Sequence, residues 1–301
     1  MRIALTIATF LAAAALAAPA ATGAGGRIAF FAADPTSWHS TIDVISPDGS
    51  GRVSLTSPGL YRQNPVWSPD GTRIAFDAEH DGVTDVFVMD ADGGNVRQVT
   101  HDTAYHWSFQ PTWSPDGTQL AFIHGLNGEC CRTAVVGADG TQQHDITTGE
   151  NAYDMYPAWS PDGSSITITR ADAEGDAEIY AVAPDGSGLH QITNNPVGVS
   201  FGGAWSPDGS RLAFVAQRPD GSGQLDLVDA DGSNLVELAD GDGTAWDGRP
   251  TWSPDGSQLV FESMRDGSAT TDLYVIATDG TGFSGLLRSD DTFEAAPAWG
   301  P

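Results

Sequence analysis

The chain has 301 residues, with 40 acidic and 13 basic side chains, no lysine, and a formal net charge of -27. This charge argues against binding nucleic acid through its phosphates and against docking on anionic lipid, because both need a basic face. Most aspartates stand in Asp-Gly turns, so the acidity indicates turn chemistry and solubility, with a salty habitat or a cationic partner as alternatives.

The N-terminus is typical of a secretory signal peptide. Arg2 precedes an apolar run over residues 3–18, and small residues follow. The run is shorter than the roughly 20 apolar residues of a membrane-spanning helix. We therefore expect a signal peptide over 1–24 and a mature protein over 25–301. That protein would not be inserted in a membrane and would lie in a periplasm, a cell envelope or the exterior.

One phrase recurs along the rest of the chain. It reads NPVWSPDGTRIAF at its first full occurrence, and its tryptophan returns at intervals of 46 or 47 residues. These structural repeat residues are Trp67, Trp113, Trp159, Trp205, Trp252 and Trp299. Spacing this regular indicates a repeat architecture.

Each repeat predicts four short strands. In the first full unit they are expected over residues 65–67, 73–77, 85–89 and 96–100. Tight turns containing Pro, Asp and Gly join the first strand to the second and the third to the fourth. A longer polar connection, AEHDGVT, joins the second strand to the third. The second strand is apolar on both sides of its pleat, so neighbouring sheets must cover both faces. Radial stacking, with each repeated tryptophan between neighbours, predicts a β-propeller.

The two ends of the chain complement each other. Residues 26–56 contain strands two to four of a blade, and residues 294–301 contain a first strand with nothing after it. Pairing them makes a composite blade that closes the ring and removes its exposed edge. We therefore predict an all-β, six-bladed propeller of four-stranded antiparallel blades, with full blades at about 60–100, 107–147, 153–193, 199–239 and 246–288.

The repeat resembles that of the TolB-like (PD40, WD40-like) propeller family. The pattern P-x-W-S-P-D-G is followed by an I-A-F-like strand, then D-[IVL]-[YFV]-V, then D-G and a Q-[VI]-T end, over about residues 26–301. The resemblance implies an interaction propeller with a protein or peptide partner in the cell envelope or exterior. We expect a monomer. Some TolB-like propellers are metal-dependent polysaccharide lyases, so the alternative is a metal-dependent lyase or hydrolase acting on carbohydrate at the channel mouth.

No catalytic constellation is visible, and we expect neither enzyme activity nor a cofactor. G-x-S-x-G, H-E-x-x-H and a phosphate-binding loop are all missing from the sequence. His101, Asp102 and His106 could begin a zinc or manganese site, or form a solvated loop. The segments DADGGN at Asp90 and DGDGTAWDG at Asp240 faintly resemble calcium loops but lack a glutamate at the twelfth position.

The two cysteines are adjacent, Cys130 and Cys131, and there are no others. They could be thiols or a vicinal disulfide. A metal clip would need a second cysteine pair.

The connections between blades predict a binding face. They are long, differ from one another and carry aromatic residues with charges beside them, whereas the turns on the other face are short and repetitive. Aromatic residues and arginine anchor many interfaces, and variable loops on a rigid scaffold commonly bind ligands. The predicted loop-face residues around the channel mouth are Tyr61, Arg62, His106, Trp107, Tyr153, Asp154, Phe201, Trp246, Asp247, Arg249, Phe293 and Glu294.

Overall fold

The computed structural model describes residues 26–37, 39–103, 105–126, 129–148, 152–196, 198–238, 245–265, 270–289 and 291–301, without the side chains of Leu60, Glu129 and Cys130. The predicted signal peptide lies outside these residues and remains a prediction. Within the described chain, no helix is long and apolar enough to cross a membrane.

The described residues form twenty-five β-strands. In chain order they are β1 (Ile28–Ala33), β2 (His39–Ile45), β3 (Val53–Ser54), β4 (Gly59–Leu60), β5 (Arg62–Trp67), β6 (Arg73–His80), β7 (Val83–Asp90), β8 (Arg97–Gln98), β9 (Trp107–Trp113), β10 (Gln119–Leu126), β11 (Glu129–Gly137), β12 (His144–Asp145), β13 (Ala152–Trp159), β14 (Ile166–Asp172), β15 (Ala177–Val182), β16 (His190–Gln191), β17 (Val199–Trp205), β18 (Arg211–Gln217), β19 (Gly223–Asp229), β20 (Val236–Glu237), β21 (Trp246–Trp252), β22 (Gln258–Met264), β23 (Asp272–Ala277), β24 (Ser284–Leu287) and β25 (Phe293–Trp299).

These strands make six antiparallel sheets, the blades. Blades 1 to 5 are β5–β8, β9–β12, β13–β16, β17–β20 and β21–β24. The sixth sheet, the composite blade, has the order β25-β1-β2-β3, with the short β4 also paired to β2. The predicted six-bladed propeller, closed by a blade that uses both ends of the chain, is confirmed.

Closure is an antiparallel ladder between β1 and β25, with a register shift between Ala29 and Phe31. It runs from Ile28 opposite Trp299 to Ala33 opposite Phe293. Beyond the ladder, the Gly300 amide donates to the Arg27 carbonyl at 2.8 Å. The edge of β1 is thereby covered, as a ring requires.

The core lies between neighbouring blades. Val86 and Val88 of blade 1 pack in one cluster with Trp113 and Phe122 of blade 2. The Trp113 indole N–H donates to the Val66 carbonyl of the preceding blade at 3.2 Å. Each blade thus buries both faces against neighbours, as the apolar second strands require.

The connection from strand two to strand three of blade 1 differs from the prediction. The sequence predicts a long polar loop over AEHDGVT, but β6 continues to His80 and β7 begins at Val83. Asp81 and Gly82 form the whole turn, with φ of 52° and 80°. Two consecutive residues at positive φ suit a hairpin turn that matches strand twist, so the Asp-Gly pair extends both strands.

The SPDG turns are held by their own aspartates. The Asp70 carboxylate accepts the Ser68 hydroxyl at 2.5 Å and the Thr72 amide at 3.1 Å. The Ser68 and Thr72 hydrogen bonds lower the pKa of Asp70 to about 2. Asp162, Asp208 and Asp255 occupy the same position in other blades, and the same kind of bonds lower the pKa of each to about 2.

Candidate functional site

The inner strands, β5, β9, β13, β17, β21 and β25, share an irregularity near their middle. In each blade the pairing of the inner strand with the second strand shifts register, for example between Gln63 and Val66 in blade 1. The residue three positions before each repeated tryptophan has φ between 46° and 71°. We call these six residues the channel ring: Asn64, Gln110, Tyr156, Gly202, Arg249 and Ala296.

The channel ring and the two residues after each member line a cavity of about 220 Å³ on the propeller axis. Five ring members are not glycine, and a left-handed backbone at such a residue costs about 1–3 kcal/mol. Strain of this kind clusters at functional sites. The ring is therefore a candidate site on both geometry and backbone energy.

Arg249 crosses the channel. Its guanidinium donates to the Asn64 side-chain oxygen of blade 1, and its carbon lies 5.3 Å from the ring centroid of Tyr156 in blade 3. Its Nε lies 3.6 Å from the Glu262 carboxylate. Burial alone would lower the pKa of Arg249, but Glu262 and Tyr156 outweigh it and raise that pKa. Arg249 thus links blade 5 to blades 1 and 3 across the channel.

Asp77 is the second charged element of the channel. It is 2% exposed, and its carboxylate accepts the Asn64 side-chain amide at 2.7 Å and the Gln110 backbone amide at 2.8 Å. Burial raises the pKa of Asp77 to about 6 despite these bonds. A buried acid that titrates near neutrality beside an arginine is typical of functional sites, although structural networks also produce it.

We expect Asp77→Asn to stabilise the protein at pH 7.5. The folded pKa of about 6 exceeds the usual 3.8, so the folded state holds a proton that the unfolded state has lost between these values. The free energy that protonated Asp77 contributes to folding is therefore fully present below pH 3.8, and it is lost as the pH rises through 6. The asparagine oxygen can keep both hydrogen bonds without this loss, which is worth on the order of 3 kcal/mol.

Thermal melts of wild type and Asp77→Asn at pH 4 and pH 7.5 test this prediction. The two proteins should differ at pH 7.5 and converge at pH 4. If the variant instead melts lower by the same amount at both pH values, hydrogen-bond geometry rather than ionisation decides the contribution of Asp77.

A row of three aromatic rings in contact adjoins the channel ring. Tyr156, Phe201 and Trp246 come from the inner strands of blades 3, 4 and 5, with centroid distances of 6.2 and 6.4 Å. Arg249 lies against the Tyr156 end of the row. Two further aromatic side chains near the starts of inner strands, Tyr61 and Tyr153, are 46% and 47% exposed.

The structure places most predicted loop-face residues within inner strands rather than in loops. Ten of them lie there: Arg62, Trp107, Tyr153, Asp154, Phe201, Trp246, Asp247, Arg249, Phe293 and Glu294. Tyr61 directly precedes β5, and His106 directly precedes β9. The strands begin earlier than the sequence predicts, because the register shift at the channel ring interrupts the alternating pattern.

Three of the predicted binding acids are fully buried in ion pairs. The Arg170 Nε donates to the Asp154 carboxylate at 2.8 Å. The Arg265 Nη2 donates to both carboxylate oxygens of Asp247, at 2.7 and 2.8 Å. Glu294 meets an arginine of the composite blade at 3.2 Å. All three acids are 0% exposed, and each is paired with an arginine of its own blade, so they stabilise the blades from within.

Arg62 is also tied to the scaffold. Its guanidinium donates to the Ser57 carbonyl, and its backbone amide donates to the Ser40 hydroxyl at 2.7 Å. The aromatic residues, His106 and Arg249 are therefore the predicted residues that remain candidates for contact with a ligand.

The suggested metal residues fall into a different network. His124, which the sequence does not single out, lies 2.8 Å from Asp145 and 3.8 Å from Asp102, and the centroid of the His106 ring lies 6.3 Å from that of His124. His101 is exposed. In the described part of the chain, no three His, Cys, Asp or Glu side chains are arranged so that they could hold a metal ion.

The remaining sequence motifs have simple outcomes. Asp90 opens a tight turn, in which the Gly93 amide donates to the Asp90 carbonyl at 2.9 Å. Residues 240–244 of the segment DGDGTAWDG lie outside the described residues. Cys131 is buried and disulfide-bonded, and the Cys130 side chain is not described.

Four channel residues escape the sequence reasoning: Asn64, Asp77, Gln110 and Glu262. A signal for the two acids exists. Asp77 and Glu262 each stand ten residues after a repeated tryptophan, where Ile123 and Val215 stand in blades 2 and 4. An acid at a position that is apolar in other repeats is not required by the fold, and it therefore indicates a candidate functional residue.

Comparison with known proteins agrees with this fold. A family model described as TolB beta propeller domain matches residues 7–131 and 132–301. A 39-residue stretch is 54% identical to the Tol-Pal system protein TolB of Anaeromyxobacter dehalogenans (strain 2CP-1 / ATCC BAA-258), covering 13% of this chain and 9% of that protein. The chain thus matches only about a tenth of the length of this curated relative.

Two solved structures are informative. The crystal structure of TolB from Acinetobacter baumannii superposes with a TM-score of 0.76 at 23% identity, covering 92% of this chain and 67% of that one. An oligogalacturonate lyase in complex with manganese superposes with a TM-score of 0.60 at 16% identity, covering 88% and 86%. At these identities both show likeness of fold alone.

Proposed function

The chain belongs to the TolB β-propeller family, and from this premise we propose that it is a non-catalytic scaffold that binds a protein or peptide at the mouth of its central channel. The observation that carries the proposal is the aromatic row of Tyr156, Phe201 and Trp246 beside Arg249. Aromatic rings and arginine, held by rigid strands, are the side chains on which binding energy concentrates at interfaces.

The arrangement suits a peptide more than a flat protein surface. The channel cavity is narrow, and Arg249 crosses it, so an entering segment would meet a cation, the Tyr156 ring and the polar Asn64 in turn. The exposed Tyr61 and Tyr153 stand near the starts of two inner strands, where they add apolar area around the entrance. Binding would bury aromatic surface at little cost in side-chain entropy.

We further propose that the protein is exported and works in a periplasm, a cell envelope or the exterior. Support comes from the signal-like residues 1–24 and from the match to a Tol-Pal system protein. Intact mass of the protein recovered from the exported fraction would give the cleavage position. Recovery of the uncleaved chain inside the cell would contradict export.

We expect the triple variant Tyr61→Ala, Tyr153→Ala, Trp246→Leu to bind its partners at least tenfold more weakly, since interface aromatics commonly contribute 2 kcal/mol or more each. The measurement is quantitative mass spectrometry of proteins cross-linked in the exported fraction. Backbone exchange should also show partner-dependent protection around residues 105–109, 153–156 and 246–249.

The matched control is Val96→Ala with Leu189→Ala, two exposed apolar residues away from the channel, 54% and 41% exposed. An identical set of cross-linked proteins for wild type and triple variant would contradict the proposal. Stoichiometric manganese or zinc in the purified protein, with cleavage of a uronate polymer, would favour the alternative of a metal-dependent carbohydrate-active enzyme.

A further inference from the structure

Arg73 and Arg97 of blade 1 are both directed towards blade 2. Arg73 stands on β6 two residues before Ala75, and the ladder places Ala75 beside Val88 and Val88 beside Arg97. Residues paired across strands, and residues two apart along one strand, share a face of the sheet. Ala75 and Val88 pack in one cluster with Trp113 of blade 2. Both arginines therefore lie on the face of blade 1 that meets blade 2.

A groove of about 740 Å³ lies between these two blades, and we call it the arginine groove. Its lining side chains include Arg73 and Arg97 from blade 1 and Thr118, Gln119, Asp139 and Gln142 from blade 2. The groove opens on the face that carries the SPDG turns, opposite the channel mouth. Its blade 2 wall is fixed, because an added Cβ on Gly140 would lie 2.9 Å from the carbonyl oxygen of Val99 in blade 1.

Arg73 is held across the joint between the two blades. Its guanidinium carbon lies 4.5 Å from the ring centroid of Trp113, and its Nη2 donates to the Gly117 carbonyl at 3.2 Å. Arg211, at the same strand position of blade 4, instead meets Asp229 of its own blade at 3.5 Å. Stacking orients the planar guanidinium, and one carbonyl uses only one of its five N–H donors. Arg73 is therefore a preorganised cation with donors left for a ligand.

The arginine groove carries a net positive charge in a chain whose formal net charge is -27. Most arginines that the structure describes form ion pairs, but Arg73 and Arg97 form none with a described residue. Asp139 is the acid of the lining, and its carboxylate accepts the Thr141 amide at 3.0 Å and the Thr141 hydroxyl at 2.7 Å. These bonds lower the pKa of Asp139, with a smaller contribution from the charge of Arg97. Two cations thus face one carboxylate that is already hydrogen-bonded.

Among the blades as the structure describes them, blade 1 alone has arginine at both positions. In the composite blade and blades 2 to 5, the position of Arg73 is taken by Arg27, Gln119, Ser165, Arg211 and Gln258. The position of Arg97 is taken by Val53, His144, His190, Val236 and Ser284. The pair is not part of the repeat, so the fold does not require it.

We propose that the arginine groove binds a carboxylate carried by another molecule, either an acidic side chain of a peptide or a small carboxylic acid. Arg73 donates to the carboxylate from one wall, Gln119 donates from the other, and Arg97 supplies a second positive charge. The guanidinium group matches the planar carboxylate with parallel N–H donors. This site is independent of the function proposed for the channel mouth.

The surroundings of the groove limit the size of the ligand. The SPDG turns on the same face carry aspartates such as Asp70, whose pKa is lowered to about 2 by hydrogen bonds from Ser68 and Thr72. These aspartates stay ionised at neutral pH and repel an extended anionic surface such as a bilayer or a nucleic acid. A single carboxylate can enter between the two blades without approaching them closely.

The test is an NMR titration of the full chain that follows the indole N–H signal of Trp113, the ring on which Arg73 lies. The probes are N-acetyl-glutamate amide, which has one side-chain carboxylate, and its neutral isostere N-acetyl-glutamine amide. We expect a saturable shift with the glutamate probe and at least tenfold weaker binding of the glutamine probe. Arg73→Gln should weaken glutamate binding by about tenfold, the size of one lost charge-assisted hydrogen bond. Equal binding of both probes, or no binding of either, would overturn the proposal.

A second variant keeps the test informative if loss of the Trp113 contact makes Arg73→Gln fold poorly. Arg97 is exposed on the short outer strand β8, so Arg97→Glu should fold like wild type. Its new negative charge should remove binding of the glutamate probe. Arg211→Gln is the matched control, because it changes the same strand position in blade 4, and it should bind the probe like wild type. Unchanged affinity in Arg97→Glu would show that the probe binds elsewhere and would refute the assignment.

A further arm separates the two sources of the carboxylate. A seven-residue peptide with one central glutamate and capped ends is compared with its glutamine counterpart and with N-acetyl-glutamate amide. Tighter binding of the glutamate peptide than of the amino acid amide indicates a peptide ligand, and equal binding indicates a small molecule. Both results support a carboxylate site, whereas equal binding of the glutamate and glutamine peptides contradicts it.

Discussion

Replacing Arg265 by methionine is expected to lower the free energy of unfolding by about 3–5 kcal/mol, because it leaves a buried charge without its partner. Asp247 is 0% exposed and takes two hydrogen bonds from the Arg265 guanidinium, at 2.7 and 2.8 Å. The Ser263 hydroxyl, which donates to Asp247 at 2.5 Å, is neutral and does not replace the lost cation. The sequence suggests Asp247 as a ligand contact, but we expect its role to be the stabilisation of blade 5.

Denaturant unfolding of purified variants measures this effect. Arg211→Met is the matched control, because its ion pair with Asp229 is longer, at 3.5 Å, and both side chains are 35% exposed. That variant should lose less than about 1 kcal/mol. The double variant Asp247→Leu, Arg265→Met should recover much of the loss, since an apolar pair removes the uncompensated charge. Equal losses for Arg265→Met and Arg211→Met would show that burial of the Asp247 pair does not matter.

Deleting residues 293–301 is expected to abolish cooperative folding. The deletion removes β25, which pairs with β1 along its length and packs against β5 and β22 of the two neighbouring blades. Without it, the hydrogen-bonding edge of β1 is open, and the apolar cluster to which Trp299 belongs loses part of its cover. We expect a broad melt, dye-accessible apolar surface and association of copies.

Circular permutation is the control that separates loss of the strand from loss of chain continuity. Gly26 lies so close to Gly300 that an added Cβ would sit 1.8 Å from the Gly300 oxygen. A short linker can therefore join residue 301 to residue 26, with new ends at the exposed turn of Gly221. This permutant should melt cooperatively. A truncated chain that melts like the full-length protein would contradict the role assigned to ring closure.

The blade count and the composite blade could be predicted from the sequence because they depend on spacing. The repeated tryptophans mark the end of every inner strand, and the missing first strand at one end matches the extra one at the other. The starts of the inner strands could not be predicted in the same way. A positive φ before proline, as at Gln110, breaks the alternation on which strand assignment depends.

The candidate site was predictable only where the residue type itself was unusual. Arg249 stands out as an arginine among aromatic residues, so the sequence alone suggests it. Asp77 resembles any other strand-end aspartate until Asn64 and Gln110 converge on it from two inner strands.

The ion pair between Arg52 and Glu294 joins residues 242 positions apart in the chain. While the protein folds, six similar inner strands could compete for the open edge of β1, and a premature partner would yield a ring with too few blades. The strands of blades 1, 2 and 4 would set Arg62, Ser108 or Ser200 beside Arg52 in place of a carboxylate. A repulsive or neutral neighbour at this position disfavours those three mistakes. Blades 3 and 5 carry Asp154 and Asp247 at the same position and would still offer a carboxylate, so charge excludes only the other three competing strands.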